Sequence, residues 1–215
     1  MTDAADRPAH PPSRWLAITE AVVLAVVAVL AAWSGFAAAR FSTESRLALA
    51  RASTTRAEAN AASARAESDR NFDASTFNTW FTAMVVDNQP AADVAERRFR
   101  AELEVAFDAW MATDPLHNPD APPGPTYMPE YVLPDVAKAA DLERQAEQAT
   151  TEGNEDAGHA DDYVRTTVVL ATVLFLAGIS GHFSVDAARI GLLAVAGSIL
   201  VFAVVSLVLA PKPPW

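Results

Sequence analysis

"WLAITEAVVLAVVAVLAAWSGFAAA", residues 15–39, decides how the rest of the chain is read. It holds one acid, Glu20, and no base over twenty-five residues. A secretory leader is the competing reading, because Arg14 precedes the apolar run and "AAA" at 37–39 meets the small-x-small rule of a signal peptidase. The apolar core of such a leader runs about 7–15 residues, shorter than this one. The sequence also continues without Pro or Gly into "RFSTESRLALARASTTRAEANAASARAESDR", residues 40–70, which is rich in Ala, the best helix former. The stretch therefore reads as an uncleaved transmembrane helix that carries on as helix beyond Arg40.

One face of this span is lined by small residues. Ala21, Ala25, Ala28, Ala32, Gly35 and Ala39 follow one another at spacings of 4, 3, 4, 3 and 4. In lipid, where the hydrophobic effect gives helices no reason to associate, such a stripe permits close van der Waals contact. Its partner is either the other spans of the same chain or a second copy. The stripe is longer than one crossing needs, so the expectation is a homo-oligomer. Ala50, Ala57 and Ala64 recur at seven residues and extend the expected small-residue seam in coiled-coil fashion.

Two further blocks want lipid: "TTVVLATVLFLAGISGHF" (166–183) and "IGLLAVAGSILVFAVVSLVLA" (190–210), neither holding a charged residue. As helices they reach about 27 and 32 Å, close to the roughly 30 Å of bilayer hydrocarbon. Trp15, Trp33, Tyr163 and Trp215 lie at or near span ends, where aromatic rings favour the interface. Three spans put the amino terminus and the short 184–189 loop on one side and residues 40–162 on the other. Arg7, Arg14 and Arg189 fall on the first side; Arg40, Arg46, Arg51, Arg56, Arg165 and Lys212 fall on the second. This excess of positives predicts a cytoplasmic 40–162 region. Glu20 and Arg189 then share a side, and an acid just inside a span needs a partner. A Glu20–Arg189 pair is expected.

The expected class is an all-α integral membrane protein. Its layout is a disordered tail (1–14), a span (15–39), an extramembrane helical domain (40–162), spans at 166–183 and 190–210, and a tail (211–215). Within the domain, a long helix (40–86) ends in an apolar face of Phe77, Trp80, Phe81 and Met84. "DNQP" (87–90) is a turn, and a helix over 91–112 should fold back as a hairpin. Its charges, including the "RRFR" run at 97–100, read as a solvated face. Seven prolines between Pro115 and Pro134 then exclude α-helix and inner strand. That segment is too rich in large apolar groups for a disordered linker. It is expected to be an ordered, extended strap over 113–134, anchored by Tyr127, Met128 and Tyr131. A docking ligand for a partner that reads proline-rich chain is the alternative. A helix over 135–151 and a polar lead-in, "EGNEDAGHADD", complete the domain.

"RFRAELEVAFDAWMATDPLHNPDAPPGPTYMPEYV", with "WSGFAAARFSTES" and "DDYVRTTVVLATVLFLAGI", resembles a set of uncharacterised bacterial membrane proteins. The resemblance covers nearly the whole chain outside the ends. It implies a three-span layout in a bacterial inner membrane and brings no catalytic residues.

The chemistry-bearing patterns are sparse. There is no cysteine, hence no disulfide framework and no thiolate chemistry. A net charge of −11 argues against nucleic acid. His10, His117, His159 and His182 are scattered; His159 with Asp162 and the acids 155, 156 and 161 could hold a cation, but acids at a helix start are the plainer reading. No phosphate loop, nucleophile elbow or zinc signature occurs. The sequence thus points to a non-enzyme with no catalytic, cofactor-binding or metal-binding residues. Its expected partners are the lipid bilayer, further copies of itself and a protein bound by the extramembrane domain. A multi-copy channel or transporter subunit is the alternative, weakened by how few polar residues the spans contain.

Overall fold

The computed structural model describes residues 14–183 and 185–213. The expectations for a disordered amino-terminal tail, for Ser184 in the hairpin loop and for Trp215 at the interface fall on residues outside that set. The described residues form five α-helices and no strand: α1 (Arg14–Val85), α2 (Gln89–Glu96), α3 (Ala101–Met111), α4 (Pro134–Ser180) and α5 (Asp186–Leu209), with a 3₁₀ turn at Pro125–Tyr127. Three helices hold stretches long and apolar enough to cross a membrane, within Ile18–Val85, Pro134–Ser180 and Ala187–Leu209. The chain divides into two compact units, Met1–Leu49 with Thr151–Trp215, and Ala50–Thr150.

In the first unit, α1, α4 and α5 share a core of Val27, Leu170, Val173, Ala196 and Ala203. A second cluster joins Ala37, Ala38 and Phe41 to Ala160 and Tyr163. Ser34, fully buried, donates its hydroxyl to the Tyr163 carbonyl at 2.9 Å, and the Tyr163 hydroxyl donates to the Pro211 carbonyl at 2.7 Å. Such bonds tie α1 to α4, and α4 to the chain leaving α5, where no water competes. The polar lead-in 152–162, outside the helix expected over 135–151, is helix within α4. Its glycines interrupt nothing, and one of them is required for packing. A Cβ on Gly153 would stand 2.8 Å from Leu49 Cγ and 3.2 Å from the Ser45 carbonyl oxygen. Glycine lets the two backbones approach there, which offsets its helix-propensity cost of about 1 kcal/mol.

In the second unit, α1 and α4 run antiparallel. Arg56 pairs with Glu143 at 3.2 Å and Glu147 at 3.6 Å, while Arg65, farther along α1, pairs with Asp135 at 3.3 Å. Along the same stretch lie the buried residues Ala52, Ala59, Ala62 and Ala66 of α1 and Ala139 and Ala146 of α4. This is a small-residue seam of heptad spacing, but not the expected one. Ala50, Ala57 and Ala64 are exposed.

Helix α1 ends in a Schellman motif: the Asn88 N–H donates to the Ala83 carbonyl and the Asp87 N–H to that of Met84. Asp87 takes the left-handed conformation (φ 55°) usually left to Gly; its short polar side chain tolerates it. Asn88 then caps α2, accepting from the Ala91 N–H. The single helix expected over 91–112 is broken at residues 97–100. Phe99 and Phe107 show why. Eight residues apart on one straight helix they would be about 12 Å apart, yet their ring centroids lie 5.1 Å apart. The break folds Phe99 back onto the aromatic core and turns Arg100 toward α1. That core contains Trp80, Phe107 and Trp110, with Phe77, Met84, Phe99 and Met128 against it. Trp80 meets Phe107 edge-on at 4.7 Å, a favourable aromatic geometry.

The proline-rich segment between α3 and α4 is turn-rich, where an extended path was expected. Asp114 is left-handed (φ 53°), and the N–H groups of His117 and Asn118 both bond its carbonyl. Asn118 also accepts from the Asp120 N–H, closing an Asx turn. Prolines fix φ without demanding extension, and the Asp and Asn residues between them supply the turns.

Candidate functional site

Every member of the small-residue stripe, Ala21, Ala25, Ala28, Ala32, Gly35 and Ala39, is exposed in the single chain. A Cβ added to Gly35 would have no atom within 4 Å. The other two spans pack on a different face of α1, through Val27 and its neighbours Val23, Leu30 and Ala31. At 100° per residue the centres of the two faces lie roughly 135° apart around the helix. The stripe is therefore an apolar, small-residue surface that this chain's own spans leave open.

Glu20 and Arg189 come together. Arg189 Nη2 lies 2.6 Å from Glu20 Oε2, with side chains 8% and 14% exposed for Arg and Glu respectively. Arg189 Nε, also buried, has no hydrogen-bond partner. Gly181, at the end of α4, completes the arrangement: a Cβ there would stand 2.9 Å from Glu20 Oε1. Three helices thus meet at one charge pair, with glycine making room for the carboxylate.

A second polar node lies in the unit formed by Ala50–Thr150. Asp73 is wholly buried on α1. Its Oδ2 accepts from Arg100 Nη1 at 3.0 Å and from the Tyr131 hydroxyl at 2.9 Å, while Oδ1 has no partner. Arg100 also pairs with Asp69 at 2.9 Å and Glu102 at 3.3 Å. Burial raises the Asp73 pKa above the ordinary carboxylate range, outweighing the opposing hydrogen bond from Tyr131 and the charge of Arg100. Burial raises the Tyr131 phenol as well, helped by its bond to the Asp73 carboxylate.

Of the expected segment anchors, Tyr131 thus bonds Asp73 and Met128 packs on the aromatic core. Tyr127 is 71% exposed, so the expectation that it anchors the segment is corrected. It occupies the last position of the 3₁₀ turn, whose three residues per turn point in three directions, and Pro125 is the one that turns inward. Residues not expected to anchor the segment do that work instead. The Trp110 indole donates to the Pro122 carbonyl at 2.7 Å, and a Cβ on Gly124 would stand 3.2 Å from the Phe77 ring. The buried Asp73 was equally unmarked; its signal is the heptad placement seven residues before Trp80 and after Ala66.

The histidines do not converge. His117 contacts Asp114 at 2.9 Å on the surface, His159 lies 5.2 Å from the Phe41 ring, His182 is exposed, and His10 is outside the described residues. Among the described residues, no three His, Cys, Asp or Glu side chains gather as a metal site would require.

Compared with known protein families, characterised proteins and solved structures, the chain matches none.

Proposed function

We propose that the protein is a membrane-anchored helical interaction protein that works as an oligomer. In this reading it crosses a bacterial inner membrane three times and is not an enzyme. Copies join along the stripe of Ala21, Ala25, Ala28, Ala32, Gly35 and Ala39. The region 40–162 lies on the cytoplasmic side and is offered to a protein partner. The observation that carries the reading is the open stripe: six small residues line one face of α1 while α4 and α5 pack on another. A face so smooth gains little from lipid tails and much from a second backbone at close range. The excess of Arg near the span ends supports the orientation, and three helices long and apolar enough to cross a membrane support the location.

In the same reading the proline-rich segment is a strap. Trp110, Gly124, Met128 and Tyr131 fasten it to α1 and α3. Prolines reduce the entropy lost on fastening it. The strap closes the aromatic core, so the partner-facing surface keeps a fixed shape.

The test is the mass of the purified protein in detergent by light scattering. Wild type should be a multimer, and Ala28→Leu with Ala32→Leu should give monomers that keep their helix content. A monomeric wild type, or a multimer indifferent to both substitutions, would remove the reading.

A further inference from the structure

We infer that the groove between α4 and the end of α5 is a binding site for a zwitterionic phospholipid carrying a primary ammonium headgroup. The groove has a volume of about 420 Å³. Its mouth is polar, with Asp162 and Arg165 on the α4 stretch just before the apolar run. Its inner wall is mainly apolar, formed by Val169 on α4 and by Phe202 and Leu209 on α5, with Thr166 and Ser206 beside them. Polar mouth and apolar wall succeed each other along the direction in which α4 enters its membrane-crossing stretch. That sequence of surfaces matches an amphiphile standing upright in a leaflet, headgroup at the mouth and acyl chain along the wall.

The charges choose the headgroup. Arg165 is 81% exposed, and its one charge partner at the mouth, Asp162, stands 3.9 Å away, too far for a good hydrogen bond. The guanidinium therefore keeps its donors for a phosphate, the anion its planar fork fits best. Asp162, 68% exposed, equally keeps acceptor capacity. A headgroup that places a phosphate and an ammonium a few bonds apart satisfies both at once. A purely anionic headgroup would satisfy Arg165 and be repelled by Asp162. A trimethylated ammonium would offer Asp162 no hydrogen to bond. Below the mouth, Phe202 is 67% exposed and presents bare hydrocarbon to a chain, and Leu209, 79% exposed, continues that surface up to the rim. The Tyr163–Pro211 hydrogen bond fixes the chain end that forms the rim. The inference needs only the spans, and not the oligomer proposed above.

The experiment is native mass spectrometry of the full chain released from nanodiscs of equal parts phosphatidylethanolamine, phosphatidylcholine and phosphatidylglycerol. One phosphatidylethanolamine per chain should be retained in preference to the other two. Arg165→Gln should lower its retention about tenfold, the loss of a charge-assisted contact. Asp162→Asn should abolish the preference over phosphatidylcholine and phosphatidylglycerol. Both side chains are exposed, so both variants should keep wild-type helix content and melting. Equal retention of the three lipids, preference for phosphatidylglycerol, or variants that retain lipid as wild type does would each overturn the inference.

Discussion

Replacing Glu20 by Gln should loosen the three-helix unit by removing one side of its buried charge pair. The substitution leaves Arg189 charged, 8% exposed, and without the carboxylate 2.6 Å away. At an effective dielectric of about 20, unit charges at that separation attract by roughly 6 kcal/mol. Desolvation of both groups opposes most of this, but that cost persists for Arg189 when Glu20 is neutralised. Its Nε already lacks a partner, so no second acceptor stands ready. Breaking a buried pair from one side costs about 3–5 kcal/mol, and that is the expected loss for Glu20→Gln and for Arg189→Gln. The double variant should lose less than the sum, with a coupling above about 1.5 kcal/mol. The assay is equilibrium unfolding in mixed micelles, followed by tryptophan fluorescence, for the four members of the cycle. Gly181→Ala supplies an independent arm. Its methyl would displace Glu20 Oε1 from 2.9 Å, and it should destabilise wild type yet have little effect once Glu20 is Gln and free to move. Single effects that add to within about 0.5 kcal/mol would refute the pair as a structural tie.

Three other outcomes are expected. Gly153→Ala should destabilise by roughly 1 kcal/mol, overpacking against Leu49 and the Ser45 carbonyl exceeding the helix-propensity gain, whereas Gly158→Ala, with nothing within 4 Å, should stabilise; thermal unfolding in detergent compares their signs. Tyr131→Phe should cost about 1–3 kcal/mol by leaving Asp73 with Arg100 alone. Because the folded Tyr131 holds its proton above the ordinary phenol value of about 10, its stabilisation is present below that pH and lost as pH rises through the folded value; stability against unfolding above about pH 10 should decline more steeply in wild type than in Tyr131→Phe. Single cysteines replacing Ala4 and Ser184 should label from one side of the membrane and one replacing Thr126 from the other; labelling of 4 and 126 from the same side would defeat three crossings.

The spans were legible because hydrophobic length is a strong signal, and the aromatic core because Phe77, Trp80, Phe107 and Trp110 recur at helical spacing. The phase of the α1 seam was not. Ala occupies so many positions that Ala50, Ala57 and Ala64 look as good as Ala52, Ala59 and Ala66; only Phe41 and Trp80, buried at the two ends, mark the face. The helical course of 152–162 was hidden by its glycines and acids. Ala139, Ala146, Gly153 and Ala160, seven apart and all buried, carried the signal through that stretch. The break at 97–100 left no Pro or Gly to announce it, because it comes from tertiary contacts of Phe99 and Arg100. The Glu20–Arg189 proximity could be anticipated because a charge near lipid has few alternatives. The Asp73 node was missed because its heptad placement between Ala66 and Trp80 becomes a signal only once the phase of the α1 seam is known.

Disulfide crosslinking between copies in native membranes tests the proposed self-association most directly. Single cysteines replace Ala25, Ala28 and Ala32 on the stripe, and Val22, Val26 and Val29 on other exposed faces of the same helix. The account predicts dimer formation at 25, 28 and 32 and little at 22, 26 and 29. Equal crosslinking at all six positions, or none on the stripe, would contradict it.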